Sequence, residues 1–436
     1  MITRLHSYLW GDLSPSEVKK FSILSGIFFL LIGSYWLLRT QKDATFDALV
    51  GLAYQPRAKI VSWVVSIALV LIYSKLVDVL GKKNLLLLLS AVFGGSFLAI
   101  ACCLAWAPFG FADPVAGPHR LFGWIIYVLI ESLGSLMVGL FWAFVTSTTS
   151  AESAKKGYPV VIAGSQCGSL LGSFCSWKSE WFGNAFLFGA GAVALGLIVP
   201  MVLWYLHTVS VRAVTPQAVN NKKVKTGIFE GLKILVTRPY VAGILVVSTV
   251  YEVITTILEF EMKLVAREIY TTREAFASFN GMYGMMVNGL ALTFALLGTS
   301  FLMRRFGLRF CLLLFPVVSI FFVGGVYFFP YLAVLLGACM ATKGLSYALN
   351  NPAKEMMYIP TAQDIRFKAK GWIDQFGGRS SKALGAAVND TFRHSVTELI
   401  ACGTGISCGL IIVWIVAAAY VGSMFNRLTE KNEVVE

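Results

Sequence analysis

Charge is scarce in this chain. Asp, Glu, Lys and Arg make up 14% of its 436 residues, against about a quarter in an average soluble domain. What charge there is leans one way, with 36 Lys and Arg against 23 Asp and Glu and a net +13. With 57% hydrophobic residues and a mean hydropathy of +0.72, this composition excludes a water-soluble domain and points to an integral membrane protein. The four histidines (His6, His119, His207, His394) are scattered at or near the ends of apolar runs, so no metal site is expected. There is no G-x-x-x-x-G-K-[ST] phosphate loop, which argues against a primary pump. No nucleophile or metal-binding carboxylate cluster stands out, which argues against a membrane-embedded enzyme acting on lipid or isoprenoid phosphates. No enzyme activity and no cofactor are therefore expected. Because no soluble basic domain carries the positive excess, nucleic-acid binding is not expected either.

Apolar runs fill the chain instead. Stretches of about 20 residues, each long enough to cross a hydrocarbon core of about 30 Å, fall at 21–43, 58–80, 85–107, 121–148, 158–177, 185–207, 240–262, 277–303, 310–329, 331–351, 371–392 and 398–425. The expected fold is an all-α, multi-pass membrane protein of about twelve transmembrane helices. The first run is longer than a secretory signal core and lacks a small-residue cleavage site, so it reads as a retained span. Lys and Arg are about twice as frequent in the segments that face inside when the N-terminus is cytoplasmic, which puts both termini in the cytoplasm. A bacterial inner membrane is the expected location, the lipid bilayer the surrounding partner, and a monomer the expected state. All eight cysteines fall within spans, where they read as small packing residues and not as disulfides or metal ligands.

The segment 211–239, "VRAVTPQAVNNKKVKTGIFEGLKILVTRP", is basic, contains Pro216, and divides the spans six from six. The expected organisation is therefore two six-helix halves, 1–210 and 240–436, joined by a cytoplasmic linker. Transporter halves are often structural repeats, and here "SKLVDVLGKKN" (74–84) after the second span is echoed by "FLMRRFGLRF" (301–310) after the eighth. The first resembles the Asp, Gly and basic pattern between the second and third helices of major-facilitator transporters. In the fifth span "GSQCGSLLG" sets Gly164, Gly168 and Gly172 four apart, the period at which two membrane helices can approach closely.

Ionisable residues inside spans cost at least about 2.5 kcal/mol to insert and so face a cavity or a partner. Arg39, Lys42 and Asp43 in "WLLRTQKDAT" share a helical face if the first helix runs through them; the alternative is an Arg39 to Asp43 pair with Lys42 reaching to the surface. Glu131 in "YVLIESLGSLMVGLFW" has no nearby charge in its own helix. Glu259 in "YEVITTILEFEMKLV" either pairs with Lys263 one turn on or serves binding or gating, and Glu252 lies two turns earlier on nearly the same face. In "GWIDQFGGRSSKALGAAVNDTFR", Gln375, Arg379, Lys382, Asn389 and Arg393 form a stripe interrupted by Ala386, read as lining a water-filled cavity. Cationic groups thus arise in both halves, and Lys and planar Arg heads suit phosphate or carboxylate oxygens. The expected cargo is a small organic anion.

Several strings along nearly the whole chain resemble the nucleotide transporters typified by the ATP/ADP translocases of plastids and obligate intracellular bacteria. "LLRTQKD" is similar to that family's Leu-(Arg/Lys)-x-x-Lys-Asp, "GLAYQPRAK" (51–59) to its Gly-x-x-x-x-Pro-x-x-Lys, and "ESLGSLMVGLFW" with "SAKKGYP" (153–159) to its Glu-Leu-Trp, Phe-Trp and Ala-Lys-Lys-x-Tyr-Pro. "KEMMYIP" (354–360), continuing through "KAKGWID" to "RSSKALG", resembles its Lys-Glu-Met-x-Tyr-Ile-Pro block. The chain departs from the family at Thr146 and Ser147, where an Asn-Gln pair is usual, and at Ala53 and Asn351, where acidic residues are usual. The resemblance implies a major-facilitator-like fold exchanging nucleotides by alternating access. It makes Lys42, Glu131 and Glu259 important for transport, together with a basic residue among Lys354, Arg379 and Lys382. The expected mechanism is a rocking of the two halves around a central site in which Arg39 or Lys42 and Arg379 or Lys382 hold phosphates and Tyr35, Tyr127 or Trp142 meet the base. Proton uptake by Glu131 would make the same scaffold a symporter.

Overall fold

Serine, proline and glutamate open the first helix. Ser14 accepts from the backbone N–H of Glu17, and the Glu17 carboxylate reaches back to the Ser14 backbone N–H at 3.0 Å, satisfying donors that a helix start leaves open. In the computed structural model, which describes residues 14–209, 228–297, 300–362, 365, 369–370, 372–431 and 433–435, helix α1 runs Pro15–Leu49. It continues through Arg39, Lys42 and Asp43 as their shared face required. Residues 211–227 of the expected linker lie outside the described residues.

The remaining helices are α2 (Gln55–Trp106), α3 (Leu121–Thr148), α4 (Ala151–Trp177), the short α5 (Ser179–Phe182), α6 (Asn184–Thr208), α7 (Ile228–Thr237), α8 (Pro239–Ile269), α9 (Arg273–Leu297), α10 (Ser300–Phe328), α11 (Leu332–Leu345), α12 (Asn351–Met357), α13 (Gly378–Phe392) and α14 (Val396–Lys431). Single π-helical turns at Ser346–Asn350 and Ile373–Gly377 precede α12 and α13. Among the described residues, eight helices are long and apolar enough to cross a membrane. One pair of residues, Thr361 and Val435, bridges in β fashion, with the Val435 N–H donating to Pro360 O at 3.0 Å. The protein is nearly all helix.

Two of these helices break at glycine. Gly81 in α2 has φ 71°, ψ 159° and Gly307 in α10 has φ 78°, ψ 164°, a region only glycine occupies without strain. These are the two turns that the sequence echo singled out, and they share a backbone conformation to within a few degrees.

The described chain forms two compact units, Met1–Asn220 with Tyr270–Asn288, and Asn221–Ile269 with Gly289–Glu436. In the first, α1 lies along α4 in parallel register. An added Cβ at Gly157 would fall on the Phe21 ring, at Gly164 on Ser25, at Gly168 on Phe29 O and at Gly172 on Gly33 O. Polar contacts close the seam: Ser153 donates to Glu17, Ser25 Oγ to Val160 O at 3.0 Å, and Gln41 Nε2 to Ser176 Oγ at 2.7 Å. The small-residue face of "GSQCGSLLG" is thus spent on close helix packing. Behind it Phe28 stacks on Phe141 at 4.4 Å. The loop after α2 is gathered by Arg120, whose guanidinium donates to the carbonyls of Phe109 (2.6 Å), Gly110 (2.7 Å), Asp113 and Val115 (3.1 Å each). In the second unit α8 packs on α11, α13 and α14, with Phe315 against Trp414 at 4.7 Å. Val64, Leu71, Ile412 and Val416 point outward, as side chains bathed in lipid would. All eight cysteines are free thiols.

Candidate functional site

Charge gathers at one place in the first unit. A turn and a half of α1 supplies Arg39, Lys42 and Asp43, and one turn of α3 supplies Tyr127 and Glu131. The Lys42 ammonium, on a residue 4% exposed, forms an ion pair with Glu131, stands 4.0 Å from Asp43, and lies 4.1 Å from the centre of the Tyr127 ring. Asp43 accepts from Gln55 Nε2 at 2.6 Å. Arg39 donates to the Tyr35 hydroxyl at 3.2 Å and stacks 4.9 Å over Trp36. Arg39 and Lys59 both lie within electrostatic reach of Glu131.

The pairing corrects two expectations. Lys42 does not reach to the surface, because Glu131 from a different helix holds it inside. Tyr127 is fully buried beneath that ammonium, so its ring is committed to a cation–π contact and is not offered to a base. Trp142 meets Phe28 and Tyr158 edge-on and is partly exposed. Tyr35 remains partly exposed beside Arg39.

Glu131 keeps 34% of its side chain accessible, against 5% for Lys42. The carboxylate therefore covers the ammonium from the open side.

In the second unit two acidic residues of α8 face lysines from neighbouring helices. Glu259 pairs with Lys343 of α11 at 3.4 Å, and Glu252 pairs with Lys382 of α13 at 3.5 Å while accepting from the Tyr251 hydroxyl at 2.8 Å. Lys354 pairs with Asp374, and Lys370 donates to Glu355 at 2.6 Å. Arg379, half-buried, precedes Lys382 by one turn. Lys343 was missed in the sequence because it sits alone in "GACMATKGLSY", where its periodicity says nothing of a partner in another helix.

The stripe on α13 is not a single wet face. Ala386 and Asn389 are buried, and Asn389 donates to Thr256 O of α8 at 3.1 Å. Arg393 pairs with Asp390 near the helix end. Of the other charged members of the stripe, Lys382 pairs with Glu252 and Arg379 is half-buried; the side chain of Gln375 lies outside the described residues. No group of His, Cys, Asp or Glu among the described residues is placed to hold a metal ion.

Comparison with known proteins gives these clusters a setting. A family model described as TLC ATP/ADP transporter matches residues 1–106, 119–334 and 330–425. The chain is 25% identical to ADP,ATP carrier protein 1 of Rickettsia prowazekii, over 99% of this chain and 98% of that one. It is also 25% identical to the chloroplastic ADP,ATP carrier protein 2 of Arabidopsis thaliana, over 96% of this chain and 76% of that one. Among solved structures, a mutant of the nucleoside transporter NupG superposes with a TM-score of 0.66 at 14% identity, covering 92% of this chain and 99% of that one. The peptide transporter POT in complex with sulfate gives 0.61 at 15%, covering 95% and 96%. The latter two likenesses are of fold.

Proposed function

The chain belongs to the TLC ATP/ADP transporter family, and from that premise we propose that it exchanges ATP for ADP across a bacterial inner membrane by alternating access. The reading takes the protein as a monomer of twelve transmembrane helices, the breaks at Gly81 and Gly307 each separating two passes, with six-helix halves at 1–210 and 240–436, a cytoplasmic linker at 211–239 and both termini in the cytoplasm. The work is carriage, without enzyme chemistry or cofactor.

The observation that carries this reading is the half-open Lys42–Glu131 pair. A buried ammonium with one accessible, exchangeable counter-ion is suited to a polyanion that must bind and leave. Arg39 and Lys42 hold phosphate oxygens in the first unit. Glu259, Lys354, Arg379 and Lys382 contribute from the second, the lysines being released from Asp374 and Glu252 when phosphate replaces those carboxylates. An empty site restores the internal ion pairs, so occupied and empty carriers differ in their charge pairing, and reorientation is tied to cargo.

The test is exchange in vesicles containing the purified chain and preloaded with ADP. Labelled external ATP should accumulate only when ADP is inside, and Lys42→Ala and Arg379→Ala should abolish accumulation. Failure of every nucleotide while another organic anion exchanges would overturn the cargo assignment and leave the carrier class standing.

A further inference from the structure

Glu261 sits two residues beyond Glu259 on α8 but packs against a different helix. It is 0% exposed, and neither carboxylate oxygen has a hydrogen-bond partner. Its Oε1 lies against Gly403 of α14, so closely that a Cβ there would stand 2.5 Å away, with Ile257 completing the slot. The glycine is what makes room for the carboxyl group.

The charged and titratable groups around it are accounted for helix by helix. On α8 itself Glu259 is paired with Lys343, and Lys263 and Arg267 each have an interaction of their own. From α11 come Lys343 and Cys339, the thiol lying within electrostatic reach of Glu259, Glu261, Lys263 and Lys343 alike. From α13, Lys382 belongs to Glu252, Asn389 to Thr256 and Arg393 to Asp390. On α14 the hydroxyls of Thr404 and Ser407 are buried without partners, Cys402 is half-buried and Glu398 is exposed. Lys233 and Arg238 of α7 and its exit, and Lys354, Glu355 and Asp374 around α12, pack near the start of α8, about 30 Å along the helix.

An ionised carboxylate in such a slot would carry a desolvation cost of several kcal/mol. The protonated acid costs far less, but its O–H still lacks an acceptor, so the group is a net burden to this arrangement in either form. A methionine or leucine would fill the space better. An ionisable group that weakens the packed state has its use in another state.

We propose that Glu261 is a proton-binding site that couples proton movement to the transport cycle: it is the neutral acid while packed on Gly403 and releases its proton to water when that contact opens. One proton is taken from water and one returned per cycle, with no other bond made or broken. Glu131, the earlier candidate for proton uptake, is unsuited to the task in this state because Lys42 already neutralises it. The proposal rests on the chain being a carrier, and it can fail separately from the choice of cargo.

Infrared spectra of the purified full chain at neutral pH should show the carbonyl stretch of a protonated carboxyl in apolar surroundings, and Glu261→Gln should remove that band. In vesicles holding a trapped pH dye, an imposed proton gradient should accelerate ATP uptake by the native protein. Glu261→Gln should keep ATP/ADP exchange but lose both the acceleration and the accompanying proton flux. Gly403→Ala, which pushes the carboxyl group out of its slot, should shift the pH at which the band disappears. Absence of the band in the native protein, or a gradient response unchanged by Glu261→Gln, would overturn the proposal. If the band is present while no nucleotide exchanges, the proton site stands and the cargo assignment falls.

Discussion

Lys42 and Glu131, 89 residues apart in the chain, meet as an ion pair with Lys42 inside and Glu131 on the open side. Removing one partner from such a pair costs about 3 kcal/mol, the lower end of the range for buried pairs, since Glu131 is only partly enclosed. Lys42→Met and Glu131→Leu should each lower thermal stability in detergent by roughly that amount and abolish exchange. The double variant should regain most of the stability, because no uncompensated charge remains, and should still carry nothing. Recovery of exchange in the double variant would remove the pair from the binding site.

The Glu259–Lys343 contact makes a similar demand on two residues of which only one was expected from the sequence. Both side chains are largely buried. A double-mutant cycle with Glu259→Gln and Lys343→Gln should give a coupling of about 0.5–3 kcal/mol, and the two single variants should impair exchange alike. Strict additivity would mean that the residues act independently.

The seam between α1 and α4 is sensitive to added volume. Gly168→Val places atoms on the Phe29 carbonyl, and overpacking of this kind costs about 1–3 kcal/mol. Its melting temperature should fall well below that of Gly196→Ala, where an added Cβ meets nothing within 4 Å. Equal melting of the two would show that the seam is looser than its contacts imply.

Gly81 and Gly307 isolate a backbone effect from a packing effect, since neither has an atom within 4 Å of an added Cβ. Gly81→Ala and Gly307→Ala should each lose about 1–3 kcal/mol through the positive φ alone, and by similar amounts. A helical glycine with equally open surroundings, Gly95, should accept alanine without loss. Denaturation of the three variants side by side decides the point.

What was legible in the sequence follows from which interactions are local. Apolar run length marked the helices, because a helix satisfies its own backbone within the bilayer. Glycine with flanking basic residues marked the breaks at 81 and 307, and the four-residue glycine period marked the face that α1 covers. The charged positions 39, 42, 131 and 259 stood out by their cost. Their partners did not, except where they share a helix: nothing in the spacing of Lys42 specifies α3, and nothing in that of Glu259 specifies α11. The stripe on α13 misled for a related reason. Helical periodicity shows which residues share a face, but whether that face meets water or another helix depends on the neighbour, and Asn389 met α8. Glu261 went unnoticed between Glu259 and Lys263 because burial without a partner leaves no trace in sequence.

The parallel seam joins α1 to α4 at one end through Glu17 and Ser153 and at the other through Gln41 and Ser176, with glycine contacts at 157, 164, 168 and 172 between. Helices packed and hydrogen-bonded along that length are expected to move as one body. Lys20 and Lys42 lie on the same helix, so a tilt of that body near Lys20 would be felt at Lys42, with α4 carried along whether or not it ever touches what is moved.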